Sequence, residues 1–116
     1  MQNLELPILQ NTISFYKQFY CYRKLFPKQD RYLLGAKCEQ YIIEILETLY
    51  KAKFADRGQK LKLTEKASEL LDLLKIFIRL IYELRVIPQN KYLILECQLY
   101  EIGKMLGGWI KSLSIN

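Results

Sequence analysis

The chain has 116 residues, enough for one domain that buries about two-thirds of the surface its unfolded form would expose. Hydrophobic residues make up 51% of the chain, and it has only five Gly and three Pro. This composition excludes a disordered chain and an all-β protein with many tight turns. The formal net charge of +6 allows an anionic partner, such as nucleic acid or a membrane surface, without requiring one.

Two helices are predicted in the first half, over residues 8–25 and 29–53, after a tail over residues 1–7. Pro27 separates them, because the residue before a proline avoids helical geometry. Gly35 lies early in the second helix, where the missing side chain would let another backbone approach. The buried face of the first helix is predicted from helical spacing to be Leu9, Thr12, Ile13, Tyr16, Phe19 and Tyr20. The buried face of the second is Leu34, Cys38, Tyr41, Ile42, Ile45, Leu49 and Ala52.

Two longer helices are predicted in the second half, over residues 59–85 and 89–112. The apolar residues of the third helix cover an arc of about 240°, far wider than the stripe of an ordinary surface helix. This helix is therefore either the centre of a bundle or in contact with another subunit as well. The fourth helix has a bundle seam with alternating spacings of three and four, formed by Tyr92, Leu95, Leu99, Ile102, Leu106, Trp109 and Leu113.

Four helices with short connections predict an all-α fold, an antiparallel up-down-up-down bundle over residues 8–113. The wide apolar arc of the third helix further predicts that copies assemble into a ring-like homo-oligomer. The residues chosen as subunit-interface candidates lie on the last two helices and are Leu73, Ile76, Phe77, Leu80, Gly103, Gly107 and Trp109. The two glycines could equally admit a helix of the same chain, and Trp109 could belong to the core or, less simply, stack on a base.

Positive charge is concentrated near the predicted ends of the bundle. Residues 1–29 carry a net +3 and residues 55–63 a net +2. Aromatic residues alternate with cations along the first helix, a mixture that can bind nucleic acid through phosphate charge and base stacking. An amphipathic helix with a basic outer face is the plainer alternative. The candidates for contact with nucleic acid or a partner are Lys17, Arg23, Lys24, Lys28, Arg31, Lys51, Lys53, Arg57, Lys60, Lys62, Lys75 and Arg79.

Lys75 and Arg79 are the only cations in the apolar centre of the third helix. They could line an oligomer channel or a partner groove. Alternatively, they form a solvated stripe in which Asp72–Lys75 and Arg79–Glu83 pair along the helix. A third possibility is a small helical enzyme in which these cations gather an anionic substrate inside a pocket.

Little else in the chain indicates catalysis or cofactor binding. It contains no histidine, which removes the commonest general base, the usual triads and most zinc sites. Carboxylate pairs such as Glu39 with Glu44, or Asp72 with Glu83, are no better explained as acid–base catalysts than as solvated charges. No phosphate-binding loop, nucleophile motif or metal-ligand cluster is present. We therefore predict a protein that is not an enzyme and holds no metal or other cofactor.

The cysteines and the N-terminal segment indicate a soluble cytoplasmic protein. Cys21, Cys38 and Cys97 are far apart and odd in number, so we expect buried free thiols rather than disulfides. No signal peptide is recognisable, and no uncharged apolar run is long enough to span a membrane.

Three segments carry a resemblance to a known group: F-P-K-x-x-R-x-x-L-G at residues 26–35, L-D-x-L-K-x-x-x-R-L at 71–80, and I-G-K-M-L-G-G-W-I-K-S at 102–112. Over residues 20–113 the chain resembles the four-helix bundle proteins that include the accessory variability determinant of diversity-generating retroelements. The related ribosomal-RNA intervening-sequence proteins share this fold. The last segment is the most specific of the three.

The resemblance implies a homopentameric, barrel-like assembly with a basic surface. It also implies a non-enzymatic role, in which the protein binds the reverse transcriptase and RNA of the element and supports error-prone copying into a variable gene. It supplies no catalytic residue. DNA is a further candidate partner. The alternative is a bundle of the intervening-sequence type, with an RNA-binding or unknown role and no retroelement partner.

Overall fold

The computed structural model describes the backbone of residues 5–114 and the side chains of residues 7–114. Every regular element in this part of the chain is a helix. The molecule is elongated, with principal extents of 48 × 22 × 19 Å. The helices are α1 (Glu5–Arg23), α2 (Lys28–Tyr32), α3 (Leu34–Phe54), α4 (Arg57–Glu83) and α5 (Gln89–Ser114).

The four long helices form an antiparallel bundle. Each contacts its neighbours in the cyclic order α1, α3, α4, α5 and back to α1. The upper end of the bundle holds the α1–α3 and α4–α5 connections, and the lower end holds the α3–α4 turn and the end of α5. The predicted all-α four-helix bundle is confirmed. The predicted tail lies largely outside the described residues, and α1 already begins at Glu5.

The seams predicted for α3 and α5 coincide with the core. Six of the seven predicted α5 residues are buried, and Leu113 is half-buried in the last turn. On α3 the predicted face is buried apart from Leu34 and Tyr41, which are half-buried. These helices bury a single continuous stripe, so the period of their apolar residues was sufficient to find it.

The face predicted for α1 is wrong by a rotation of roughly 80° about the helix axis, less than one residue step of 100°. Ile8, Thr12, Phe15, Phe19 and Tyr22 are buried, and the predicted Ile13 and Tyr20 are exposed. The predicted face treated tyrosine as equivalent to phenylalanine. A tyrosine hydroxyl needs water or a partner, so the all-carbon rings of Phe15 and Phe19 occupy the core, and Tyr16 and Tyr20 lie at its edge. Tyr22 is buried only in the last turn of the helix.

The helix predicted over residues 29–53 is two helices, α2 and α3, which meet at Leu33 with φ −102° and ψ −81°. In a continuous helix the Arg31 carbonyl would accept from the amide four residues later. Here it accepts from Nε of Arg23 at 3.0 Å. The neighbour of Gly35 is likewise the Arg23 side chain and not a backbone, which corrects the sequence-based expectation.

Helix α4 is only partly covered by its own chain. Its buried residues include Leu70, Leu74, Ile78 and Ile81. A second apolar set remains exposed on the outside of the bundle and consists of Leu73, Ile76, Leu80 and Leu84. The wide apolar arc is therefore real, and about half of it is left to water in the monomer.

Local interactions explain where the helices begin and end at the α3–α4 and α4–α5 connections. The Asp56 carboxylate accepts from the amide of Gln59 at 2.9 Å and caps α4. Arg85 follows α4 in the left-handed region, with φ 61°, and Pro88 precedes α5. Within residues 5–114, no helix combines the length and apolar character needed to cross a membrane.

The three cysteines are free, as expected, but only Cys38 is buried; Cys21 and Cys97 are exposed. Both exposed cysteines lie off the buried stripes of α1 and α5, so neither is needed for packing of the core.

Candidate nucleic-acid and partner surfaces

The lower end of the bundle presents lysines on either side of the α3–α4 turn. Lys51 and Lys62 are exposed, and Lys53 and Lys60 are half-buried. Arg57 donates from one guanidinium nitrogen to the carbonyls of Ser112 and Leu113, at 3.2 and 3.1 Å. Arg57 therefore caps the C-terminus of α5, and it stabilises the fold as well as contributing charge.

At the upper end, one predicted cation is neutralised within the molecule. Arg23 forms a largely buried ion pair with Glu39, which also accepts a hydrogen bond from the Tyr16 hydroxyl at 2.5 Å. Residues 6–29 contain no acid, but the fold places this carboxylate of α3 beside them. Glu39 is thereby unavailable to Glu44 as a catalytic partner, although both line the same shallow depression.

The remaining upper-end candidates are accessible. Lys17, Lys24 and Lys28 are exposed, and the ammonium of Lys24 lies 4.7 Å from the centre of the half-exposed Tyr20 ring. Arg31 is half-buried, and its guanidinium donates to the Phe26 carbonyl over 3.4 Å. Lys24 and the Tyr20 ring thus lie together at this end, and their contact with nucleic acid stays a prediction.

Lys75 and Arg79 are exposed on the outside of the bundle, on the side of α4 that faces α5. Nε of Arg79 pairs with the Glu83 carboxylate at 2.9 Å. The predicted Asp72–Lys75 pair is not among the ion pairs formed within residues 7–114. Instead, the Lys75 ammonium lies over Gly103 of α5. This outward placement argues against an enzyme that encloses a substrate around these cations.

A groove of about 740 Å³ runs between α4 and α5. Its walls are mainly apolar and include the exposed side chains of Ile76, Leu93 and Tyr100, with Cys97 beside them. The three α5 residues of this group were not among the predicted site residues, because they lie off the buried seam. The sequence could have indicated these residues, because large apolar side chains on the solvent-facing side of an amphipathic helix often mark a binding surface.

The other interface candidates fall into two groups. Leu73, Ile76 and Leu80 are exposed and Phe77 is half-buried against Tyr41 of α3. Trp109 is buried in the monomer core, which corrects its assignment to a subunit contact and removes it as a stacking platform.

The two predicted interface glycines differ in what lies beside them. A Cβ on Gly103 would meet Lys75 and Leu71 of α4 at 3.3 and 3.5 Å, so this glycine serves packing within the chain. A Cβ on Gly107, one turn further along α5, would meet nothing within 4 Å.

Four side chains have pKa values raised by their surroundings. For exposed Arg79 the main cause is the hydrogen bond to Glu83, which raises the pKa of the guanidinium. Burial raises the pKa of the Cys38 thiol to about 12, so it stays protonated and unreactive at neutral pH. Burial, followed by the 2.6 Å hydrogen bond to Glu96, raises the pKa of Tyr92 to about 12. The hydrogen bond to Glu39, followed by burial, raises the pKa of Tyr16. None of these groups is tuned to titrate near neutral pH, and the described residues contain no cluster of three potential metal ligands.

Comparison with solved structures confirms the bundle architecture. A protein of unknown function of the S23 ribosomal protein family, from Bacteroides thetaiotaomicron, superposes with a TM-score of 0.84. The match has 16% sequence identity and covers 94% of this chain and 99% of the other. At this identity the likeness establishes the fold alone. No curated protein sequence matches the chain.

The sequence profile of the bAvd-like family matches residues 6–113, which include all four long helices almost completely. This range contains the three motif segments and both basic ends of the bundle. The chain therefore belongs to the bAvd-like family, that of the accessory variability determinants.

Proposed function

We propose that the protein is a non-enzymatic accessory factor of a diversity-generating retroelement, and that it binds the reverse transcriptase of the element and its RNA. Family membership over nearly the whole bundle carries this proposal. In this role the protein brings polymerase and template RNA together and thereby supports error-prone copying into a variable gene. The chemistry of copying belongs to the polymerase.

The distribution of charge supports the RNA-binding part of the proposal. Exposed lysines lie at both ends of a bundle 48 Å long, with Lys24 and Lys28 at the upper end and Lys51 and Lys62 at the lower. Cations spaced in this way can contact phosphates far apart on one RNA or on two strands. The elongated shape leaves the sides of the bundle for protein contacts.

The uncovered apolar surface supports assembly into a homo-oligomer, with the pentamer implied by the resemblance as the expected state. Exposed Ile76 lines the α4–α5 groove together with Leu93 and Tyr100. Leu73 and Leu80, also exposed, neighbour Ile76 on α4 at spacings of three and four residues. Exposed apolar patches of this kind often mark protein interfaces. A ring would also multiply the basic ends presented to one RNA, and avidity would strengthen weak single contacts.

Binding to RNA is tested by measuring its affinity over a range of salt concentrations. The logarithm of the association constant should fall linearly with the logarithm of salt concentration, because phosphate contacts release counterions. The double variant Lys51→Gln/Lys62→Gln should flatten this slope by roughly one unit for each phosphate that it no longer neutralises. The matched variant Lys51→Arg/Lys62→Arg keeps the charge and should keep the slope. Absence of RNA binding at low salt would reject the RNA-binding role.

Binding to the polymerase is tested separately by co-expression with the reverse transcriptase encoded beside the gene. The two proteins should co-purify after nuclease treatment, which removes any RNA bridge. Loss of the complex on nuclease treatment would show that RNA alone joins them and would contradict a direct contact.

The alternative function is that of a ribosomal-RNA intervening-sequence bundle with no retroelement partner. The structural likeness to a protein of the S23 ribosomal protein family favours keeping this second candidate. The genomic neighbourhood discriminates the two. A reverse transcriptase gene and a near-repeat beside the gene support the retroelement role, and a position inside a ribosomal RNA gene supports the alternative.

A further inference from the structure

A small cavity lies at the upper corner of the bundle, where α1, α2 and α3 meet. Its volume is about 230 Å³, and its lining residues are Tyr20, Arg23, Lys24, Arg31 and Glu39. Three of these five side chains are cations and one is an anion. The cavity therefore has an excess of two positive charges, at a point where the three helices shield it from part of the solvent.

Glu39 does not offset the two remaining cations, because both of its oxygens are already engaged. One accepts from the Tyr16 hydroxyl and the other from the Arg23 guanidinium. The carboxylate thus compensates Arg23 alone. Lys24 and Arg31 keep their charge for a ligand.

Arg31 supplies a donor with no acceptor. Its Nε is buried and has no hydrogen-bond partner. Native structures rarely leave such a group unpaired, because a buried donor that has lost water and gained nothing is unfavourable. The backbone of the residue is held in place, since the Arg31 carbonyl accepts from Arg23 at 3.0 Å. Its side chain is held only by a long 3.4 Å hydrogen bond to the Phe26 carbonyl.

The packing of Arg23 against Gly35 also supports the geometry of this corner. Arg23 lies against the backbone of α3 at Gly35, where a Cβ would come within 2.8 Å of its Nε. Any other residue at position 35 would displace the arginine that bridges Glu39 to the Arg31 carbonyl. The missing side chain of Gly35 and the break at Leu33 therefore serve the same arrangement of Arg23 and Arg31.

We propose that this corner is a phosphate-binding site, in which the Arg31 guanidinium and the Lys24 ammonium hold one phosphate group after the Arg31 side chain turns to expose its buried Nε. An arginine donor suits a phosphate oxygen in geometry as well as charge. Tyr20, half-exposed at the rim, offers a ring beside the site for a base attached to that phosphate. The source of the phosphate is single-stranded RNA, and this part of the inference rests on the proposed function.

The site itself is tested without RNA, by titrating the full-length ¹⁵N-labelled protein with inorganic phosphate and observing the arginine Nε–H resonances. The Arg31 resonance, assigned by its loss in Arg31→Lys, should shift and saturate, and that of exposed Arg85 should not. Equal small shifts of all arginines, or none, would overturn the site.

The RNA source is tested by the affinity for a single-stranded oligonucleotide at about 100 mM salt, where screening leaves close contacts dominant. Arg31→Gln should weaken binding roughly 10-fold, as expected for loss of a charge-assisted hydrogen bond. Arg85→Gln removes the same charge from the same end and should weaken it less than about 3-fold. Arg31→Lys keeps the charge but lacks the Nε donor and should restore little of the affinity.

Equal effects of the Arg31→Gln and Arg85→Gln variants would show that only bulk charge matters and would overturn the RNA assignment. If the unsubstituted protein binds no RNA, the proposed function fails, and the phosphate titration still decides the site. A phosphate response with no loss of RNA affinity in Arg31→Gln would assign the site to free phosphate and contradict RNA as its source. Circular dichroism of each variant confirms that the bundle is folded.

Discussion

The α1–α3 side and the α4–α5 side of the bundle are built from similar helices but differ in how the gap between the two helices is filled. On the α1–α3 side, Tyr16, Arg23 and Glu39 close the gap between helices through hydrogen bonds and an ion pair. On the α4–α5 side, the gap is an open groove with mainly apolar walls, although Lys75, Arg79 and Glu96 also line it. The three side chains of the first gap satisfy one another within one chain, whereas the second gap leaves apolar surface that only another molecule can cover.

This difference explains how one small bundle can be stable and still present an apolar surface for the proposed association. Four seams supply the core, so neither outer side is needed to hold the helices together. Polar closure by Tyr16, Arg23 and Glu39 leaves no open apolar groove between α1 and α3, because these three side chains already have partners within the chain. Burial of the exposed apolar side chains on the α4–α5 side would favour association through the hydrophobic effect.

The largest effect is expected from Ile76→Glu in the groove. Ile76 is 61% exposed in the monomer, so its replacement should leave folding unchanged within about 0.5 kcal/mol. A carboxylate in a covered apolar interface should weaken self-association at least about 100-fold. Light scattering and sedimentation equilibrium measure the mass.

The control is Ile13→Glu, which makes the same change at an exposed position on α1. Ile13 does not line the α4–α5 groove. It should leave the mass unchanged. A monomeric unsubstituted protein, or an equal effect of both variants, would contradict the contrast between the two sides.

The next effect concerns pH, at the upper end of the groove. Tyr92 stacks on Tyr82 with ring centres 4.2 Å apart, and its pKa is raised from 10.0 to about 12. The folded state binds the Tyr92 hydroxyl proton more tightly than the unfolded state does. The resulting contribution to the free energy of unfolding is therefore complete below pH 10. It is lost as pH rises from 10 to about 12, by on the order of 2–3 kcal/mol.

Urea unfolding at several pH values measures this loss. Tyr92→Phe should be less stable at pH 7, because the bond to Glu96 is gone, and should lose less stability between pH 10 and 12. Cys38 and Tyr16 also bind protons more tightly when folded, so the difference between the two proteins isolates Tyr92. Parallel curves for both proteins would refute the assignment.

A smaller effect tests the polar closure of the α1–α3 side. Glu39→Gln removes the charge that pairs with Arg23, and both side chains are about four-fifths buried. The free energy of unfolding should fall by about 1–2 kcal/mol, less than for a fully buried pair because some water reaches both groups. Exposed Glu101→Gln is the control and should stay within about 0.5 kcal/mol. The idea fails if the two variants are equally stable.

The smallest effect separates the two open glycines of α5. Neither Gly107 nor Gly108 would bring a Cβ within 4 Å of another group, so alanine at either should stabilise the monomer by about 0.5–1 kcal/mol through helix propensity. Gly107 shares the face of Gly103 toward α4, whereas Gly108 is rotated away from it by about one residue step. Association should weaken in Gly107→Ala only, and equal association of both variants would place Gly107 outside the interface.

Much of the fold could be predicted because the information was local. The seams of α3 and α5 have one apolar residue per turn on one face, and burial of that stripe requires only that some other helix be present. The excess apolar surface of α4 followed from the same spacing, and the cations of both bundle ends could be counted directly. These features depend on sequence spacing and chain order, and neither changes when neighbouring helices shift.

Other features were decided only by contacts between helices distant in sequence. The rotation of α1 depends on Glu39 of α3, which holds the Tyr16 hydroxyl at the edge of the core while Phe15 and Phe19 enter it. The break at Leu33 depends on Arg23 taking the Arg31 carbonyl. Hydrogen bonds and ion pairs are directional, so their partners follow from three-dimensional position, whereas hydrophobic burial is non-directional and can be read from periodicity.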